Sequence, residues 1–118
     1  MNETTEPPVA TIEKRDRTVI ARPMRKLAEE NDLKTLIRLI DETCGTGGEI
    51  SVVVLDLSHV SLLPSLGFGL LVQISNKCKS RNQKLKLAGV LPQIRQVFAI
   101  TRLDRMFDFA PSVESAIE

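Results

Sequence analysis

The stretch Ile50-Ser-Val-Val-Val-Leu-Asp-Leu57 constrains this chain more than any other. It is almost continuously apolar and rich in β-branched residues, then surfaces at Asp56, Ser58 and His59. That is how a strand buried on both faces reads. A short loop leads to Pro64-Ser65-Leu66-Gly67, which opens a helix. Ser65 is thereby placed in the first turn of a helix that starts at the end of a buried strand. Helix-start N–H groups and the dipole favour an anion there, so its hydroxyl is well placed to carry a phosphate.

The same run is too short to cross a membrane, which takes ~20 apolar residues, and Asp56 interrupts it. A net charge of +1 over 118 residues offers no footprint for nucleic acid or an anionic membrane. His59 is the only histidine, which removes most Ser-His and multi-histidine metal chemistry. Cys44 and Cys78 fit no metal spacing and fall on apolar helix faces, so free buried thiols and a reducing cytoplasm are expected. Met1 to Pro8 lacks the basic start and apolar core of a secretory signal. Residues 1–9 are expected to form a disordered tail, and residues 10–118 one domain.

Strands and helices alternate along the rest. Ala10–Glu13 and Thr18–Arg22 are short β-type runs separated by the charged turn Lys14-Arg-Asp-Arg17. Leu33, Leu36, Ile37, Ile40 and Cys44 recur at helical spacing, with Asn31 or Asp32 as cap and Gly45 as stop. The linker Gly45-Thr-Gly-Gly48 enters the buried strand. Lys84–Ala88 alternates and ends at Gly89, Pro92 starts a helix with Ile94, Val97 and Phe98 inward, and Phe107–Ala110 makes a last strand. Ser112 caps a final helix to Ile117. This order favours mixed strands with helices returning over the sheet.

In the helix Ser65–Ser80, Gly67, Leu70, Leu71, Ile74 and Cys78 share the face expected on the sheet. Ser65 lies opposite, with Val72 and Asn76 within about 20° of it and Gly69, Lys79 and Phe68 further out. The half of the helix near Ser65 is thus expected to carry Phe68 and Val72 either beneath a neighbouring loop or as a docking patch for a partner.

These residues resemble a known family. Asp56-Leu-Ser58, an apolar pair, then Ser65-x-Gly67-x-Gly69-Leu-Leu71 is similar to the STAS domain of bacterial anti-sigma factor antagonists and of the cytoplasmic tails of sulphate transporters. The resemblance extends from about Ile12 to Ile117 and includes Lys84–Gly89, Pro92–Val97 and Thr101–Phe107. It implies a single STAS-like α/β domain, with a mixed four- to five-stranded sheet and about four helices packed mainly on one face. It also implies a non-enzymatic module without cofactor, which binds a serine-kinase anti-sigma factor. Phosphorylation of the serine that starts the second helix ends that binding, and a phosphatase restores it.

Position by position, that serine falls on Ser65. The implied partner surface is Pro64, Ser65, Leu66, Phe68, Gly69, Val72 and Asn76, and Asp56, Ser58 and Gly67 support it. A second copy of the chain is a further candidate partner. The chain departs from the family pattern at two positions. Pro64 stands where the family usually has aspartate, and proline has no side-chain acceptor for the helix start. Arg102 stands where the family often has glycine, a costly exchange if the turn needs positive φ.

A receiver domain, with a phosphoacceptor aspartate at Asp56, is the rival of another class. Its Mg²⁺ site needs acidic residues near the first strand and a lysine after a late one. Here Lys14–Arg17 is basic overall and no lysine follows Lys86, so Asp56 is read as a strand-end hydrogen-bond acceptor that orients the loop before Ser65. Gly45–Gly48 lacks the Gly-Lys-Ser/Thr ending of a P-loop. Glu29-Glu30 and Asp41-Glu42 read as solvated charge, and the small basic groups lack the interleaved aromatics of a nucleic-acid site. The alternative within the family is a free-standing STAS subunit of a transporter or larger signalling complex, without a phosphorylation switch.

Overall fold

The computed structural model describes residues 9–45 and 48–117. Apart from Val9, the expected tail lies outside them, as do Thr46 and Gly47 of the linker. Strands β1 (Ala10–Arg15) and β2 (Thr18–Pro23) form a hairpin through a tight turn with Asp16 at positive φ, where Asp is tolerated. Helix α1 (Glu30–Cys44), β3 (Val52–Asp56), α2 (Ser65–Ser80), β4 (Lys84–Ala88), α3 (Pro92–Ile100), β5 (Asp108–Ala110) and α4 (Val113–Ile117) follow. A single 3₁₀ turn at Leu103–Met106, absent from the sequence reading, links α3 to β5.

The five strands lie side by side in chain order, β1–β2 antiparallel and the other pairs parallel. Each parallel step advances in the same direction, and right-handed crossovers therefore lay α1, α2 and α3 on one face. The larger core forms beneath them, with Val19, Val53, Leu55 and Leu87 fully buried. On the other face Ile20, Val54 and Ala88 are covered by Val113 and Ala116 of the short α4. Strand β3 is thus buried on both faces, as its composition required.

Three local expectations are corrected. The N-cap of α1 is Glu29, and Asp32 sits three residues in, where its carboxylate accepts the Glu29 N–H at 3.4 Å. Val97 does not point inward but is 38 % exposed, because the α3 face on the sheet is narrow and filled by Ile94 and Phe98. Asp41 is no solvated charge: it takes Lys77 Nζ at 2.8 Å and an Arg81 guanidinium nitrogen at 2.6 Å, tying α1 to α2. At the last helix, Ser112 Oγ accepts the Ser115 N–H at 3.1 Å, the cap expected there. Among the described residues no helix is long and apolar enough to cross a membrane.

Candidate functional site

The loop between β3 and α2 is held from three sides before it reaches Ser65. Leu57 N–H donates to the Ala88 carbonyl at 2.9 Å, continuing the sheet beyond the strand end. Ser61 and Leu62 N–H donate to the Lys26 carbonyl at 2.8 and 3.0 Å, and Ala28 N–H returns to the Leu62 carbonyl at 3.1 Å. Beneath them Val60 is fully buried. These backbone bonds hold the loop that leads to Ser65 against the sheet end and the segment before α1.

Asp56 fixes the turn at the start of that loop. Its Oδ1 accepts the Ser58 N–H at 3.1 Å and its Oδ2 accepts Arg22 Nε at 3.0 Å, with the carboxylate largely buried. It is thus the strand-end acceptor expected from the sequence. Arg22 continues to Glu13 at 3.3 Å, and Arg15 with Arg22 holds the Glu13 carboxyl below its usual range. Gly89 adopts φ +66, and a Cβ there would lie 3.0 Å from Ser58 Cβ. The glycine therefore serves both the turn after β4 and the close approach of the Ser58 loop.

Pro64 is the N-cap of α2 and supplies no side-chain bond to the helix start. Its carbonyl accepts the Gly67 N–H at 2.8 Å, so backbone alone closes the first turn. Ser65 is the first helical residue rather than the cap, it is exposed, and its hydroxyl has no hydrogen-bond partner among the described residues. The hydroxyl is not consumed by a structural role. Gly67 is buried where α2 crosses α1: an added Cβ would lie 2.5 Å from Leu63 Cδ1 and 3.1 Å from Leu33 Cδ1. Small size at this position sets how deeply the helix start sits.

Beside Ser65 a groove of about 550 Å³ runs between α2 and α3, lined by Leu63, Ser65, Phe68, Gly69, Val72, Val97, Thr101 and Leu103. Of the residues expected at the partner surface, the groove brings together Ser65, Phe68, Gly69 and Val72. Pro64, Leu66 and Asn76 are exposed outside it, Leu66 with 55 % of its surface. Phe68 is the main correction. It is only 7 % exposed, and its ring meets Phe98 edge-on with centroids 4.9 Å apart. Phe98 in turn packs on Phe107 and Phe109, each at 5.4 Å, so all four phenylalanines join one cluster. The helical wheel assumed that the sheet alone covers α2, whereas α3 covers its flank. Phe68 is the floor of the groove, and Val72 is half-buried on its wall.

Leu63, Val97, Thr101 and Leu103 were missed by the sequence reading. Val97 and the 73 % exposed Ile100 were the available signal, as apolar residues that the α3 core face does not use. Thr101 caps the C-terminus of α3, and Arg102 follows it at φ 62, ψ 15, left-handed. The turn does need the conformation for which glycine is preferred.

Comparisons with known proteins agree with this architecture. A candidate anti-sigma factor antagonist of Thermotoga maritima superposes with a TM-score of 0.77 at 22 % identity, over 91 % of this chain and 90 % of that one. The phosphorylated form of the Bacillus cell fate determinant SpoIIAA gives 0.69 at 20 % identity, over 92 % and 96 %. The murine Solute Carrier 26 family member A9 anion transporter gives 0.73 at 14 % identity, over 89 % of this chain but only 18 % of the transporter. At these identities the likeness establishes the fold. The model of the STAS domain matches residues 10–116, nearly the whole chain, and the protein belongs to the STAS domain family.

Proposed function

We propose that this protein is a non-enzymatic regulatory module of the anti-sigma factor antagonist type, acting in the bacterial cytoplasm. It docks a serine-kinase anti-sigma factor through the surface around Ser65, and phosphorylation of Ser65 releases that partner until a phosphatase removes the phosphate. One observation carries the reading. An exposed serine with an unused hydroxyl begins α2 on the rim of an apolar groove, at the end of a loop anchored by backbone bonds. A phosphate there adds about −1.5 to −2 charges at a helix N-terminus, where the dipole favours it, so the fold tolerates it. The charge and bulk fall instead on whatever occupies the groove. Similarity to the phosphorylated form of SpoIIAA supports the same reading.

A second reading is supported by the likeness to the transporter domain and by Pro64 in place of the usual aspartate. In it the domain is a subunit or scaffold of a transporter or signalling complex, with Ser65 unmodified. Incubation with the serine kinases of the same organism and ATP, followed by intact mass, separates the two. A gain of one phosphate in wild type and none in Ser65→Ala is expected. No gain with any of those kinases would leave the second reading.

A further inference from the structure

From Leu57 to Leu103 the chain has no Asp or Glu and seven Lys or Arg. That span contains the anchored loop, α2, β4, α3 and the head of the turn closing the groove, whose acid Asp104 follows directly, and none of the residues lining the groove is acidic. Most of its cations are occupied or remote from Ser65. Lys77 and Arg81 are held by Asp41, Lys86 Nζ donates to the Ala116 carbonyl at 2.8 Å, and Arg95 lies 3.8 Å above the Phe109 ring. Lys79 and Lys84 sit together with Asp108 around a separate cleft.

Arg102 is different. It is exposed, makes no ion pair among the described residues, and lies between Thr101 and Leu103, both of which line the groove. Its N–H donates to the Ala99 carbonyl at 3.1 Å in a left-handed turn directly after the helix cap. Glycine would meet that demand without strain, since the Cβ of any other residue opposes it. A charged side chain thus sits where the backbone disfavours one, and such strain clusters at sites where the side chain is used.

We propose that Arg102 selects the occupant of the Ser65 groove, a protein segment with apolar side chains for the space above Phe68 and carboxylates flanking them for the guanidinium. The inference rests on the groove being a partner surface, and it adds the partner's chemistry. The concave apolar floor with Arg102 beside it fits a protruding segment better than a flat anionic bilayer. Phosphate on Ser65 would repel the same carboxylates, and no acid of the groove's own walls resists its addition.

The test uses the full chain, ¹⁵N-labelled, titrated with two roughly 18-residue amphipathic helical peptides that share one apolar stripe but carry either Glu or Lys on the flanks. Shifts at Phe68, Val72 and Thr101–Leu103 are expected with the Glu peptide, binding at least about threefold tighter than the Lys peptide at low salt and converging at high salt. Arg102→Glu should invert the preference. Arg102→Gly should abolish it while raising Tm by about 2–6 °C. Equal binding of the two peptides, or no groove shifts with either at millimolar concentration, overturns the proposal. So do an unchanged preference in Arg102→Glu, groove shifts caused only by phosphatidylglycerol vesicles, and groove shifts that grow with protein concentration alone, which would mark a second copy as occupant. The outcome is separable from the kinase experiment: charge preference without phosphorylation removes the switch alone, and phosphorylation without preference removes this inference alone.

Discussion

An added Cβ at Gly69 would meet nothing within 4 Å, although the residue lies in the middle of a helix turn and lines the groove. Glycine there sacrifices about 1 kcal/mol of helix propensity relative to alanine, with no steric reason inside the domain. Gly69→Ala is expected to raise the urea midpoint by a corresponding amount while weakening partner binding, because the methyl group enters the groove. Phe68→Ala is expected to behave in the opposite sense, with a loss of about 3–5 kcal/mol as the ring leaves its place against Phe98. A Phe68 variant with unchanged stability would return that residue to the solvent-facing role suggested by the helical wheel. Ser65, Gly69 and Val72 were legible as neighbours because the 100° periodicity is local to α2. Val97, Thr101 and Leu103 were not, because they reach the groove from a helix and turn whose tilt no periodicity encodes.

Between elements, the Asp41 cluster joins the last turn of α1 to the last turn and C-cap of α2, with partners 36 and 40 residues downstream. Separation on that scale is why Asp41-Glu42 read as solvated charge, while the strands and helices, set by local pattern, were recovered nearly to their ends. Partial burial works against ionisation of Asp41, but Lys77 and Arg81 outweigh it and hold the carboxyl below its usual value. A carboxylate with a lowered folded pKa contributes stability above its unfolded pKa of about 3.9, and that contribution is lost as pH falls through the lower folded value. With side chains about a third exposed, the cluster contributes on the order of 1–2 kcal/mol rather than the sum of two buried pairs. Asp41→Asn should therefore lower stability by about that much at pH 7, and the gap to wild type should close as pH drops below about 4. Urea midpoints of both proteins across that range check the prediction; a gap independent of pH would assign the effect to packing.

The whole molecule has a lopsided construction, three helices over one face of the sheet and five residues of α4 over the other, yet the two cores share their strands. Val53 and Leu55 face the larger core and Val54 the smaller, on consecutive residues of β3. A defect under α4 thus acts on the backbone that carries the opposite core and the Ser65 loop. Cys44 and Cys78 report on this from the far side. Both are buried and free, so neither offers an open path to a disulfide reagent, and burial also pushes the Cys78 thiol up to about 11, leaving it protonated at neutral pH. Reaction then requires opening. Val113→Asp places a carboxylate against Ile20 and Val54 and should cost about 2–3 kcal/mol. If the sheet makes one cooperative unit, that variant accelerates reaction of both thiols with Ellman's reagent by the same factor, matching its loss of global stability. Unchanged thiol rates in a destabilised variant would show that α4 detaches alone, and a faster Cys44 with Cys78 unmoved would place the opening in the last turn of α1.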